Sequence, residues 1–190
     1  MAEIYIYRAQ RNKRIVCAFT DKDYEGAVLK GGRWNSVKIP MVYTSDSIST
    51  AGWEIAQKIS YDSSLGPDKN LREQIIDKLT KHFSYCRSTI DTRQIINVED
   101  FYGKPLPQDW YVKIQGMAYR PDIQAIGDQW IKSVTSLAMR VPCSITRRHA
   151  FNYLINPQHS DYPMLLSKRE GFWRYDGETL STGGTKVEPT

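Results

Sequence analysis

The alternation of apolar and polar positions predicts short strands interspersed irregularly with helices. Ile4-Tyr5-Ile6-Tyr7 is β-branched and aromatic and gives way to Arg8, the composition of a first strand. A polar, charged stretch runs from there to about Gly32, and residues 40–44 read as a second strand. Ser45-Asp46-Ser47 supplies oxygens able to cap a helix, and Ile48, Ala51, Ile55 and Ile59 follow at the period of about 3.6 residues that keeps apolar groups on one face. After a loop at Gly66-Pro67-Asp68, the residues Leu71, Ile75, Leu79 and Phe83 predict a second amphipathic helix.

Residues 95–98 and 110–114 read as strands separated by a loop holding Gly103, Pro105 and Pro107. Ile123, Ile126, Trp130, Ile131 and Val134 share one face of a third helix, and strands are expected at 137–141, 152–155 and 171–175. This order argues for an α+β domain and against a regular βαβ repeat. We expect one domain over residues 1–180 and a disordered tail over 181–190.

Composition sharpens this picture in a few respects. The 190 residues suit a single domain, and 41% hydrophobic with 25% charged residues excludes a disordered or collagen-like chain. A formal charge of +5 permits an anionic partner. Lys and Arg are nonetheless interleaved with acids, as in Asp21-Lys22-Asp23-Tyr24-Glu25, and no nucleic-acid-binding signature occurs, so nucleic acid is not the expected partner. Cys17, Cys86 and Cys143 are odd in number and far apart without zinc-type spacing, which suggests a reducing compartment and no metal site. No sustained apolar run occurs, so a cytoplasmic protein without a membrane is expected.

The most informative stretch is Gly31-Gly32-Arg33-Trp34-Asn35-Ser36. Two glycines permit a tight turn that sets a guanidinium beside an indole, a pair suited to gripping phosphates and stacking on a flat ring. A surface turn with an anchored Trp is the ordinary alternative, and a P-loop is excluded because no Lys-Ser or Lys-Thr follows. Glu54 lies on the first predicted helix, where Thr50 and Lys58 make a solvated ion pair its ordinary explanation. Cys143-Ser144 with His149 or His159 gives no spacing that establishes a nucleophile and base.

In order along the chain stand Tyr7-Arg8, Gly31-Gly32-Arg33-Trp34-Asn35-Ser36, Val42-Tyr43-Thr44-Ser45, Ala51-Gly52-Trp53-Glu54, Ile126-Gly127-Asp128-Gln129-Trp130-Ile131, Leu137-Ala138-Met139-Arg140-Val141-Pro142 and Asn152-Tyr153-Leu154-Ile155-Asn156-Pro157-Gln158-His159. Together they resemble the RES-domain family. The resemblance implies a fold like that of ADP-ribosyltransferases, a split β-sheet with flanking helices around an NAD cleft. It also implies a toxin of a type II toxin–antitoxin pair that cleaves the nicotinamide–ribose bond by hydrolysis or phosphorolysis.

NAD would then be a consumed substrate, with no resident cofactor, and the partner an antitoxin of the Xre-like type. The resemblance makes Glu54, Arg33 and Tyr43 catalytic, and assigns NAD binding to Arg8, Arg33, Trp34, Asn35, Tyr43, Cys143 and Ser144. Cys143 stands where the family has Ser, with Ser144 one place later. Two alternatives stay open: a protein mono-ADP-ribosyltransferase, with a protein acceptor, and a catalytically degenerate binding module.

Overall fold

The computed structural model describes residues 2–11, 21–60, 70–112, 119–146, 149–165, 167–175 and 180–183. Its centre is one eight-stranded mixed sheet in the order β4-β5-β6-β2-β1-β3-β7-β8. The strands are β1 (Glu3–Arg11), β2 (Val42–Ser45), β3 (Phe83–Asp91), β4 (Ile95–Asn97), β5 (Ala138–Pro142), β6 (Phe151–Ile155), β7 (Ser167–Tyr175) and β8 (Leu180–Gly183). Helices α1 (Asp21–Lys30), α2 (Ile48–Ser60), α3 (Leu71–His82), α4 (Val98–Tyr102) and α5 (Pro121–Ser133) flank them. This is the expected α+β domain, with one continuous mixed sheet where a split sheet was expected.

The sheet is joined unevenly. β1 pairs with β3 along its whole length, from Glu3↔Asp91 to Arg11↔Phe83, whereas β1 meets β2 at the single register pair Tyr7↔Ser45. On the other side β2 pairs with β6 from Val42↔Ile155 to Ser45↔Asn152. The β1/β2 seam is therefore narrow.

Local chemistry explains the helices that the sequence predicts. The Thr50 amide donates to Ser47 Oγ at 3.1 Å, which caps α2, and Thr50, Ala51, Gly52 and Ile59 are its buried residues. Asn70 caps α3 by accepting from the Arg72 amide at 3.0 Å. Pro121 opens α5, where its missing N–H costs nothing, and Ile123, Ile126, Gly127, Trp130 and Ile131 form the buried face. That face enters a core with Trp34, Met41, Trp110, Met139 and Leu154, while Ile6, Val42, Ile90 and Ile155 belong to a second cluster.

Several expectations are corrected. Helix α1 occupies part of the stretch read as merely polar, and β3 begins at Phe83, the residue read as the last apolar position of α3. Val98 starts α4 instead of ending a strand. Residues 110–112, read as a strand, form a turn in which the Trp110 amide donates to Pro107 O at 3.1 Å, and 113–114 lie outside the described residues. Residues 181–183, read as the start of the tail, end β8, while 184–190 and the loop at 66–68 lie outside the described residues. Cys143 is free and buried, Cys86 Sγ lies 3.3 Å from Gln10 Oε1, and Cys17 lies outside the described residues.

Candidate active site

The Gly-Gly-Arg-Trp-Asn segment is a compact turn built on Asn35. Gly31 ends α1 with φ +67°, a left-handed conformation that glycine adopts without strain, and its amide donates to Ala27 O at 2.8 Å. Asn35 is fully buried, and its Nδ2 donates to the carbonyls of Ala27, Ser36 and Ile39 at 3.0, 3.1 and 2.9 Å. Its Oδ1 accepts from the Tyr43 hydroxyl at 2.7 Å, and that hydroxyl accepts from the Trp34 amide at 3.2 Å. A Cβ on Gly32 would collide with Tyr43 Oη, so only glycine lets the tyrosine come this close.

Helix α5 holds the turn from behind through three residues on one face. Gln124 Nε2 donates to Gly32 O at 2.8 Å and Asn35 O at 3.0 Å, and Asp128 Oδ1 accepts from the Ser36 amide at 2.9 Å. Between them, Gly127 lies against the Trp34 carbonyl, where any Cβ would clash. The spacing i, i+3, i+4 places all three on one stripe.

Arg33 projects from this rigid turn. Its guanidinium lies 5.7 Å from the Trp110 ring centroid and 5.4 Å from that of Tyr119, and Nη1 donates to Tyr111 O at 2.5 Å. Burial pulls the Arg33 pKa down while Tyr119, Glu54 and Tyr43 push it back up, and arginine remains charged at neutral pH. The aromatic faces fix the plane of the fork, which suits forked binding of an oxyanion.

Glu54 is half-buried on α2. Its Oε1 accepts from Asn152 Nδ2 at 2.8 Å and from the Cys143 thiol at 3.4 Å. No described residue donates to Oε2. The charge of Glu54 acts on Arg33, Tyr43, Lys58 and Cys143, so these groups lie within electrostatic reach of one carboxylate. Burial raises the Tyr43 phenol strongly and the Cys143 thiol as well, so both are neutral at physiological pH. Lys58, one turn beyond Glu54, is exposed to solvent. Desolvation lowers its pKa, Glu54 opposes the shift, and Arg8 adds to it.

The structure thus brings Arg33, Tyr43, Glu54 and Cys143 together, with Arg8 within electrostatic reach through Lys58. Trp34 and Asn35 are buried, 2% and 0% exposed, and the Asn35 side chain is occupied by the turn itself. Their placement gives them framework roles in place of the ligand contact expected of them. Ser144 is half-buried and Cys143 is the residue whose side chain reaches Glu54.

Asn152, Trp110 and Tyr119 were not foreseen. His149 is exposed, His159 Nδ1 accepts from the Asp161 amide at 3.1 Å, and the Cys143 thiol donates to Glu54. Among the described residues there is no cluster able to hold a metal, and no helix is long and apolar enough to cross a membrane.

A family model described as the RES domain matches residues 5–174. The chain belongs to the RES domain family. It is 26% identical over 157 residues to "Toxin Res" of Photorhabdus laumondii, covering 83% of this chain and 84% of that protein. It is also 27% identical over 152 residues to "Prs ADP-ribosylating toxin" of Sphingobium sp., covering 80% and 81%. The fold resembles a chain of the M. tuberculosis MbcT-MbcA toxin-antitoxin complex at TM-score 0.57 and 16% identity, covering 88% of this chain and 84% of that one. This RES domain is accordingly an α+β domain with a mixed sheet and flanking helices, related to bacterial toxins of toxin–antitoxin systems.

Proposed function

We infer that this RES domain is a toxin that cleaves the nicotinamide–ribose bond of NAD, with water or phosphate as the acceptor. What supports the reading is that Glu54 lies within electrostatic reach of Arg33 and Tyr43, on a chain whose family is that of toxins. Breaking the glycosidic bond to nicotinamide develops positive charge on the ribose, as in other oxocarbenium-like transition states. A fixed carboxylate beside the sugar stabilises that charge more in the transition state than in the ground state. Glu54 is such a carboxylate.

Arg33 binds the pyrophosphate, since its fork is held between two rings with N–H groups to spare. Tyr43 bounds the ribose end, and Arg8 adds positive charge to the cleft. Cys143 and Ser144 line the same end, where Cys143 takes the place of a hydroxyl donor to Glu54. A cognate antitoxin of the Xre-like type would neutralise the toxin by covering the cleft.

A second reading, a protein mono-ADP-ribosyltransferase, is favoured by the similarity to the Sphingobium toxin whose name records ADP-ribosylation of Prs. The bond broken is the same and only the acceptor differs. Mass spectrometry of NAD incubated with the protein, with and without phosphate and cell lysate, separates the readings. Free ADP-ribose or its phosphorylated form supports hydrolysis or phosphorolysis, and a modified lysate protein supports transfer. NAD that survives every condition overturns both and leaves a binding module.

A further inference from the structure

Ser45 occupies an unusual place in the sheet. It is the residue of β2 that registers with Tyr7 on β1 at the narrow seam, and it also registers with Asn152 on β6. Its side chain continues the second pairing: Ser45 Oγ donates to Asn152 Oδ1 at 2.9 Å, and Asn152 Nδ2 donates to Glu54 Oε1 at 2.8 Å. Ser45 and Asn152 are 4% and 9% exposed, so neither bond is exchanged freely with water. An amide that accepts at one end and donates at the other is fixed in orientation.

We propose that Asn152 is a positioning residue for Glu54, anchored by Ser45 at the seam, which fixes one carboxylate oxygen so that the other is presented to the ribose. Both donors to the carboxylate, Asn152 and Cys143, engage the same oxygen, Oε1. Glu54 sits on a helix and its side chain has three rotatable bonds, so without such a clamp the carboxylate samples several directions. The clamp removes that freedom before substrate arrives, which is where preorganisation lowers a barrier. It also ties the geometry of the reacting group to the one residue at which the two parts of the sheet meet.

The inference rests on the reading of Glu54 as the reacting carboxylate, and its test has a readout that does not need turnover. The S–H stretch of Cys143 falls in a spectral window free of other protein bands and reports whether Oε1 is held beside the thiol. In the full chain, the wild-type minus Cys143→Ser infrared difference spectrum assigns the band. Asn152→Ala is expected to move it toward the frequency of an unbonded thiol and to lower kcat for NAD cleavage about tenfold or more, with KM nearly unchanged.

If Asn152→Ala does not fold, Ser45→Ala frees the same amide from its anchor and is read by the same band. A band left in place by the variant that folds overturns the proposal, as does a change in KM without a change in kcat. If the wild-type protein leaves NAD intact, the reading of the reaction fails while the band still decides whether Asn152 positions Glu54.

Discussion

The Cys143 thiol donates to Glu54 Oε1 at 3.4 Å, across 89 positions of sequence. A thiol is a weak donor, and a hydroxyl in the same place makes a shorter bond to a carboxylate. Cys143→Ser is therefore expected to raise kcat several-fold, corresponding to about 1 kcal/mol for the stronger bond. Cys143→Val, which removes the donor and adds about one methyl group to a buried site, is expected to lower it. Steady-state kinetics of the two variants beside wild type checks the order Ser above Cys above Val.

Two glycines are required by close approach. A methyl group at Gly127 meets the backbone of Trp34, which cannot rotate away, whereas one at Gly32 meets the ends of the Tyr43 and Asn35 side chains. Overpacking typically costs about 1–3 kcal/mol, and more where backbone must move. Gly127→Ala is thus the more destabilising change in thermal unfolding. Gly32→Ala is expected to cost less stability and more activity, because it displaces Tyr43 from the turn that carries Arg33.

Arg33 is expected not to tolerate lysine. The planar guanidinium lies against Trp110 and Tyr119 while donating to Tyr111 O, and an ammonium matches neither the rings nor the fork. Arg33→Lys should raise KM for NAD about tenfold, the loss of roughly 1.4 kcal/mol of phosphate binding, with a smaller effect on kcat. Titration calorimetry of NAD against the Glu54→Gln background measures the binding loss without turnover.

Alkaline stability follows from the neutral groups of the cleft. Burial raises the Tyr43 phenol above its ordinary 10.0 and the Cys143 thiol above its ordinary 9.0, so the unfolded chain loses these protons first. Their contribution is complete below about pH 9 and is lost as pH rises beyond it. Lys58 has the opposite sign: its lowered pKa means that stability from this group rises with pH up to its ordinary 10.5. The urea midpoint should fall between about pH 9 and 11, less steeply in Tyr43→Phe and more steeply in Lys58→Met. Equal slopes in the three proteins would contradict this balance.

The parts legible in the sequence are those whose signals are local. Helix α2 announces itself through Ser47 and the spacing of its isoleucines, and Gly31-Gly32-Arg33-Trp34-Asn35 marks the turn that the structure builds. Strand β3 was hidden because Phe83 completes the helical spacing of Leu71, Ile75 and Leu79. It becomes extended by pairing with Arg11, a contact made far away in sequence. Trp110 read as strand because it is aromatic, yet it serves the core beside Trp34, with ring centroids 5.6 Å apart.

The site divides in the same way. Arg33, Tyr43 and Glu54 could be picked out by the order of their motifs, and the fold brings them within electrostatic reach of one another. Asn152 opens another of those motifs, but an asparagine inside a strand carries no mark of a partner 98 residues away. Trp34 and Asn35 look like ligand contacts because they adjoin Arg33, but consecutive residues of a tight turn point in different directions, and these two point inward.

The most direct test of the central claim is release of nicotinamide from NAD by the purified wild-type chain and by Glu54→Gln, each first shown to unfold at a similar temperature. The substitution keeps the shape of the side chain and removes its charge. The account predicts release by wild type and a fall of about a hundredfold or more in the variant, the scale of losing a principal electrostatic stabiliser. A folded Glu54→Gln protein that releases nicotinamide at the wild-type rate would contradict it.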